Sequence, residues 1–298
     1  MLLALDLGVF HRRAERESFR AALGWSAFWI TLSLAFNGWV WLELGREPGL
    51  AFLTGYVLEK ALSVDNIFVF LLIFRFFAVP SEHQHRVLFW GVVGAIFLRA
   101  AFVLAGAALL HRFEWIFYLF GAFLLWTGVK LMRHRQPEIH PEENPMVLGF
   151  QRIFPITSQY HGGHFFVRRE GRWLATPLML VLVMVEATDV VFAVDSIPAI
   201  FGVTTDPFLV FTSNIFAVLG LRALYFVLRN LIDRFRYLGL GLGLVLAFIG
   251  AKMLLHDLVE ISTGVSLVVV VVVLTLSVVV SWLRAGDDDA GSAPAQSM

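Results

Sequence analysis

Apolar residues run through this chain in blocks of about twenty, separated by short polar hops. The blocks fall near 20–42, 50–74, 87–110, 113–132, 175–202, 208–228, 236–255 and 264–283. Each is long enough to cross a hydrocarbon layer of about 30 Å as a helix. The pattern predicts an all-α integral membrane protein of about eight transmembrane helices. Residues 1–18 read as an N-terminal cytoplasmic segment or the remnant of an additional helix, because "MLLALDLGVF" is apolar but too short to span. Residues 19–283 form the transmembrane domain, and 284–298, acidic and rich in small residues, read as a disordered tail. The final block, with Val268–Val273 in a row, is apolar all round and predicts a lipid-facing helix without chemistry of its own.

Composition sharpens this picture. Of 298 residues, 58% are hydrophobic and 15% charged, against about 25% charged in soluble domains. Mean hydropathy is +0.77. With no cysteine, disulfides and thiolate metal ligands are excluded. A net charge of zero carries no argument for nucleic acid, and the pattern implies no particular oligomer.

Arginine and lysine placement sets orientation. Arg12, Arg13 and Arg16 precede the first block, and Arg75 and Arg86 follow the second. The 133–173 loop holds Arg133, Arg135, Arg152, Arg168, Arg169 and Arg172; Arg229, Arg234 and Arg236 follow the sixth block. The opposite side has Arg46 and Arg112. Both flanks of the bundle, the C-terminus included, are therefore expected in the cytoplasm.

Internal similarity follows the charges. "EKALSVDNIFVF" (59–70) aligns with "DVVFAVDSIPAIF" (189–201), setting Glu59 on Asp189 and Asp65 on Asp195. "FLRAAF" (97–102) aligns with "GLRALY" (220–225), setting Arg99 on Arg222. "FGAFLLWTGVKLM" (120–132) aligns with "LGLVLAFIGAKML" (242–254), setting Lys130 on Lys252. Each copy holds three spans, about 50–132 and 175–255, and three is odd. The second copy must then run inverted through the membrane, a common build of secondary transporters with the ion site at the repeat interface.

The carboxylates demand compensation, since each costs roughly 2.5–3.5 kcal/mol at the centre of a membrane helix. Residues six apart on a straight helix point about 240° from each other. Glu59 and Asp65, like Asp189 and Asp195, therefore either serve different partners or flank an interruption. Pro198 favours an interruption in the second copy, freeing the carbonyl of Val194 beside Asp195. Against Glu59, Asp65, Glu186, Asp189 and Asp195 stand Lys60, Arg99 and Arg222 as charge-balancing cations, with Lys130 and Lys252 near span ends. A structural reading pairs all of these into buried salt bridges, which often stabilise less than apolar packing. The functional reading makes the surplus negative charge a path for a divalent cation or for protons. Oxygen donors suit a hard ion such as Mg, Ca or Mn.

Asn66 and Ser196, beside the aspartates, and Asn214 in the sixth block are additional ligands or hydrogen-bonding neighbours. His161 and His164 resemble a metal pair but fit a solvated cytoplasmic hairpin turning at Glu170-Gly171. Gly239 and Gly243 have the GxxxG spacing of close helix packing.

"FLTGYVLEKALSVDNIFVF", "EATDVVFAVDSIPAIF", "TTDPFLVFTSNIFAVLGLRALYF" and "HFFVRREGRWLATPLMLVL" resemble the TerC family of bacterial membrane proteins, closest to its Alx branch, over residues 25–283. The resemblance implies a polytopic protein of metal-ion homeostasis, with manganese export in the Alx-like members and a tellurium-resistance label in others. It carries the family's acidic motif onto Glu59, Asp65, Asn66, Glu186, Asp189, Asp195 and Ser196. Relatives begin with an additional complete span, of which "MLLALDLGVF" is the remainder here.

The residues thus predict an inner-membrane exporter of a hard divalent cation rather than an enzyme, which the family resemblance makes Mn²⁺, holding its cargo between Asp65 and Asp195 with Glu59, Asp189 and Glu186. Without a P-loop, proton antiport is the expected energy source. The alternative is a non-transporting membrane scaffold acting through the 133–173 loop in metal stress or tellurium resistance. An intramembrane aspartyl protease would need a Gly-x-Gly-Asp pattern, which the chain lacks.

Overall fold

A computed structural model describes residues 19–133, 144–169, 171–229 and 237–291, with side chains as far as residue 284. The predicted blocks are helices: α1 (Phe19–Leu44), α2 (Arg46–Phe76), α3 (Ser81–Arg112), α4 (Trp115–Arg133), α6 (Pro177–Phe201), α7 (Pro207–Leu219), α8 (Leu221–Leu228), α9 (Leu238–Leu254) and α10 (Thr263–Gly291). A short helix, α5 (Pro145–Ile153), and a hairpin, β1 (Phe166–Arg169) with β2 (Arg172–Ala175), lie between α4 and α6. By length and composition α1, α3, α4, α6 and α10 can each cross a membrane, and α7 with α8 adds a sixth span bent by 44°. α2 is long enough but carries the charges of the acidic motif, and α9 has 17 residues.

Local sequence sets the helix starts. Asn144 accepts from the backbone N–H groups of Met146 and Val147 ahead of Pro145, and Asp206 accepts from that of Phe208 ahead of Pro207. Both are side-chain caps followed by a proline whose missing N–H costs nothing in the first turn. The hairpin pairs Phe166 with Ala175 through Arg169 with Arg172, and Gly171 takes the positive φ of its turn. Glu170 and the 134–143 segment, like residues 1–18 and 292–298, lie outside the described residues. The hairpin region is fastened to the bundle: the Tyr160 hydroxyl donates to the Phe77 carbonyl at 2.7 Å, and the Arg86 guanidinium lies over the Phe165 ring.

Three expectations change. α6 runs unbroken through Pro198. Proline is tolerated there because it sits in the last turn, so one carbonyl loses its donor and no long stretch of helix follows. The interruption falls instead at Gly220, between α7 and α8. Second, α10 continues past residue 284 to Gly291, where a disordered tail was expected. It also has a packed side: Val270, Ser266, Ser277 and Ser281 are buried, with Ser281 accepting from the backbone N–H of Tyr237 and Ser266 accepting from Lys252. Third, Gly239 faces open space. The close packing uses Gly243 and Gly250, while Gly241 lies against Ser277 of α10.

The inner helices of the two aligned segments pack against each other. α2 packs mainly on α7, α3 on α6, and α4 on α9. In the last pair a Cβ on Gly121 would meet the Gly250 carbonyl, and one on Gly128 would meet the Gly243 carbonyl. The alignment equates Gly121 with Gly243 and Gly128 with Gly250. Each contact is therefore the image of the other.

A buried ionic cluster and a half-open carboxylate pair

An unbroken α2 and an unbroken α6 decide how the acids are shared. Six residues apart on straight helices, the two carboxylates of each motif diverge, and they serve different partners. Glu59 from α2 and Asp189 from α6 meet on Arg99 of α3. One Arg99 Nη donates to Glu59 and to Asn214 Oδ1 (2.8 Å); the other donates to Asp189 Oδ1 (3.1 Å). Asn214 of α7 also donates to Glu59 Oε2 at 3.4 Å. Glu59, Arg99, Asp189 and Asn214 are each 4% exposed or less. Four inner helices, two from each aligned segment, thus contribute one side chain apiece. Two carboxylates share one guanidinium, so the cluster has more acidic than basic side chains. Asp189 Oδ2 and Arg99 Nε are buried there without hydrogen-bond partners.

Asp65 and Asp195 sit elsewhere. Both are half-buried, and Asp195 lies within electrostatic reach of Asp65 and of the Lys130 ammonium. The Thr127 hydroxyl of α4 donates to Asp195 at 3.4 Å. Lys130 itself stands over the Trp126 ring at 5.1 Å. Thr127 escaped sequence reasoning; a lone threonine in an apolar helix gives little signal. Ser63, Asn66 and Ser196 are buried on the helix faces that carry Glu59 and Asp189, with Ser196 within reach of Glu59, and so belong to the ionic cluster.

The remaining predicted residues take separate places. The Glu186 carboxyl lies against Gly94 of α3, close enough to Asp189 for mutual repulsion. Lys60 donates to the Ala217 carbonyl at 3.0 Å, in the last turn before the Gly220 break, and lies above the Tyr56 ring. A cation there complements the negative end of α7. Arg222 is buried within electrostatic reach of His85. The five acids therefore do not form one site: among the described residues, no three His, Cys, Asp or Glu side chains converge as a metal cage. His161 and His164 sit in the turn before β1, where His161 Nδ1 bonds the Gln159 carbonyl.

These features define an all-α, multi-pass integral membrane protein with ionisable side chains deep among its inner helices. The chain belongs to the TerC family: residues 44–288 match the family described as integral membrane protein TerC. Among its relatives, the "Uncharacterized membrane protein STKORF319" of Myxococcus xanthus is 53% identical over 95% of this chain and 89% of its own length. The "Putative membrane-bound redox modulator Alx" of Salmonella typhi is 50% identical, and that of Escherichia coli K12 48%, over 95% of this chain and 91% and 92% of theirs. No solved structure matches.

Proposed function

We propose that this protein is a divalent metal-ion transporter of the bacterial inner membrane that exports Mn²⁺ in exchange for protons, with its C-terminus in the cytoplasm. The observation that carries the reading is the pair Asp65 and Asp195. These aspartates occupy aligned positions of the two segments, Asp195 lies within electrostatic reach of Asp65, and both are half-buried. Like charges in a poorly solvated site favour uptake of a proton or a cation. Thr127 adds a hydroxyl oxygen to the pair. All are hard oxygen donors, which fit Mn²⁺, Mg²⁺ or Ca²⁺; the family resemblance selects manganese. The reciprocal α4–α9 contact supports an inverted repeat around this pair.

Glu59 and Asp189 take a supporting role, because Arg99 already occupies them. Glu186 stands closer to that cluster than to the cargo. The redox label of the Alx relatives cannot act through thiols of this chain, which has no cysteine. An effect on redox balance would follow here from the level of a redox-active metal.

The test is manganese content in cells lacking their own exporters, with the native protein and with Asp65→Asn and Asp195→Asn at equal expression. Lower manganese with the native protein and its loss in both variants is expected. Manganese unaffected by the native protein, or export retained in both variants, would overturn the reading and favour a scaffold.

A further inference from the structure

A solvated hairpin between α4 and α6 would turn polar side chains outward, yet the structure puts apolar ones there. Val147 of α5 is buried in the same apolar core as Leu178 and Val181 of α6, the helix on which α5 packs. Met146 and Ile153, seven residues apart and so on one side of α5, are exposed, Ile153 to 73%. The apolar surface continues past the helix end. The Phe154 ring stacks on Phe150 and meets the Phe166 ring edge-on, with 5.9 Å between centroids. Phe166 pairs with Ala175 and Arg168 with Trp173, so these four side chains share one face of the hairpin. Trp173 is 62% exposed. Met146, Ile153, Phe154, Phe166 and Trp173 thus form one apolar surface carried by two elements.

Charge and place narrow the occupant of this surface. The described residues from 144 to 176 include Arg152, Arg168, Arg169 and Arg172, all exposed, and no carboxylate; Glu170 lies outside them. None of the four arginines has an ion-pair partner among the described residues. α6 begins at Pro177, two residues after β2, and its 25 residues make about 37 Å of helix, more than a hydrocarbon core of about 30 Å. Its first turn, and the hairpin leading into it, therefore stand at the level of the lipid headgroups. Apolar side chains with a tryptophan among them, rimmed by unpaired arginines at that depth, have the chemistry of an interfacial anchor.

We propose that α5 and the β1–β2 hairpin bind the surface of the anionic lipid leaflet at this end of the bundle. Met146, Ile153, Phe154, Phe166 and Trp173 enter the headgroup layer, while Arg152, next to Ile153, and Arg168, across from Trp173, bind lipid phosphates at the rim. The apolar side chains supply attachment to any bilayer. The arginines supply the preference for anionic over zwitterionic headgroups, since a basic side chain gains most beside a negative surface. Tyr160 bonds the Phe77 carbonyl after α2, and Arg86 near the start of α3 covers the Phe165 ring. The anchor thereby sets the ends of α2, α3 and α6 at one depth relative to the leaflet.

The absence of native cysteines permits a direct test on the full chain. Nitroxide labels are attached to Ile153→Cys or to Gln151→Cys. Both positions are exposed, and two residues apart they point about 200° from each other around α5. The labelled protein is reconstituted in vesicles of phosphatidylcholine, with and without phosphatidylglycerol. Collisions of the nitroxide with oxygen, which concentrates in lipid, are compared with those of a water-soluble nickel chelate. With phosphatidylglycerol present, the label at Ile153 is expected to favour oxygen and that at Gln151 the chelate. Arg152→Gln and Arg168→Gln should each lower the lipid-facing population by about fivefold, the scale of one basic residue at an anionic surface, and added salt should act in the same direction. Met146→Cys replaces Ile153→Cys if that variant does not fold. Equal access of the chelate to both positions overturns the anchor. Shielding of the Ile153 label from both reagents marks a protein occupant, a second copy where the spins broaden each other, and overturns it too. An oxygen preference that neither lipid charge nor arginine substitution changes overturns the assignment to anionic headgroups.

Discussion

Replacing Gly128 by alanine puts a methyl group where two backbones already touch. An ideal Cβ at Gly128 lies 2.6 Å from both the Gly243 carbonyl oxygen and the Ala247 nitrogen. Neither atom can rotate away as a flexible side chain would. Ordinary contact begins near 3.4 Å, so α4 and α9 must part locally by roughly 0.8 Å. Between membrane helices, van der Waals fit is the main attraction, since lipid replaces lost apolar contact without a penalty from water. Overpacking of this kind costs about 1–3 kcal/mol. At about 2–4 °C per kcal/mol for a chain of a few hundred residues, the melting temperature should fall by several degrees. Gly243→Ala should behave alike, and the double variant should lose less than the sum because the two residues meet each other. Gly239→Ala is the control: nothing lies within 4 Å of its Cβ, and alanine is the better helix former. The assay is thermal unfolding of detergent-purified protein followed by tryptophan fluorescence. Gly128→Ala melting within a degree of the parent, or Gly239→Ala falling equally, would refute the seam.

Other outcomes follow from the charged sites. Arg99→Met leaves Glu59 and Asp189 buried without their cation and should destabilise by about 3–5 kcal/mol; adding Glu59→Gln and Asp189→Asn should recover much of that loss in the same melting assay. Asp65→Asn and Asp195→Asn remove like charges from a half-open site and should leave melting unchanged while abolishing manganese export. Lys60→Met removes the bond to the Ala217 carbonyl and should lower export more than stability, which paired transport and melting measurements would check. Tyr160→Phe removes a single hydrogen bond to Phe77 and should cost about 1 kcal/mol without altering export.

Apolar runs revealed the helices, because a membrane span must be both long and greasy. The fate of Pro198 was less legible. A proline signals a lost hydrogen bond, but its cost depends on how much helix follows, which only the end of α6 at Phe201 settles. The break at Gly220 carried a weaker signal, a glycine, and Lys60 of another helix bonds the carbonyl of Ala217 just before it. Likewise, Glu59, Asp189 and Arg99 were visible as an intramembrane charge set, yet which acid meets which cation depends on how α2, α3 and α6 rotate against one another. Spacing along one helix fixes only the angle between its own side chains. It showed that Glu59 and Asp65 diverge, and their separate partners follow from the packing.

The α4–α9 seam carries a consequence for ancestry. Gly121 on Gly250 and Gly128 on Gly243 form a surface that fits an inverted copy of itself. Two separate half-length chains inserted in opposite directions would need no other surface to dimerise. Fusion of such halves removes the demand that they stay identical. Such a fusion would let a straight helix through Arg99 and a break before Arg222 coexist in one chain, which two identical halves could not hold.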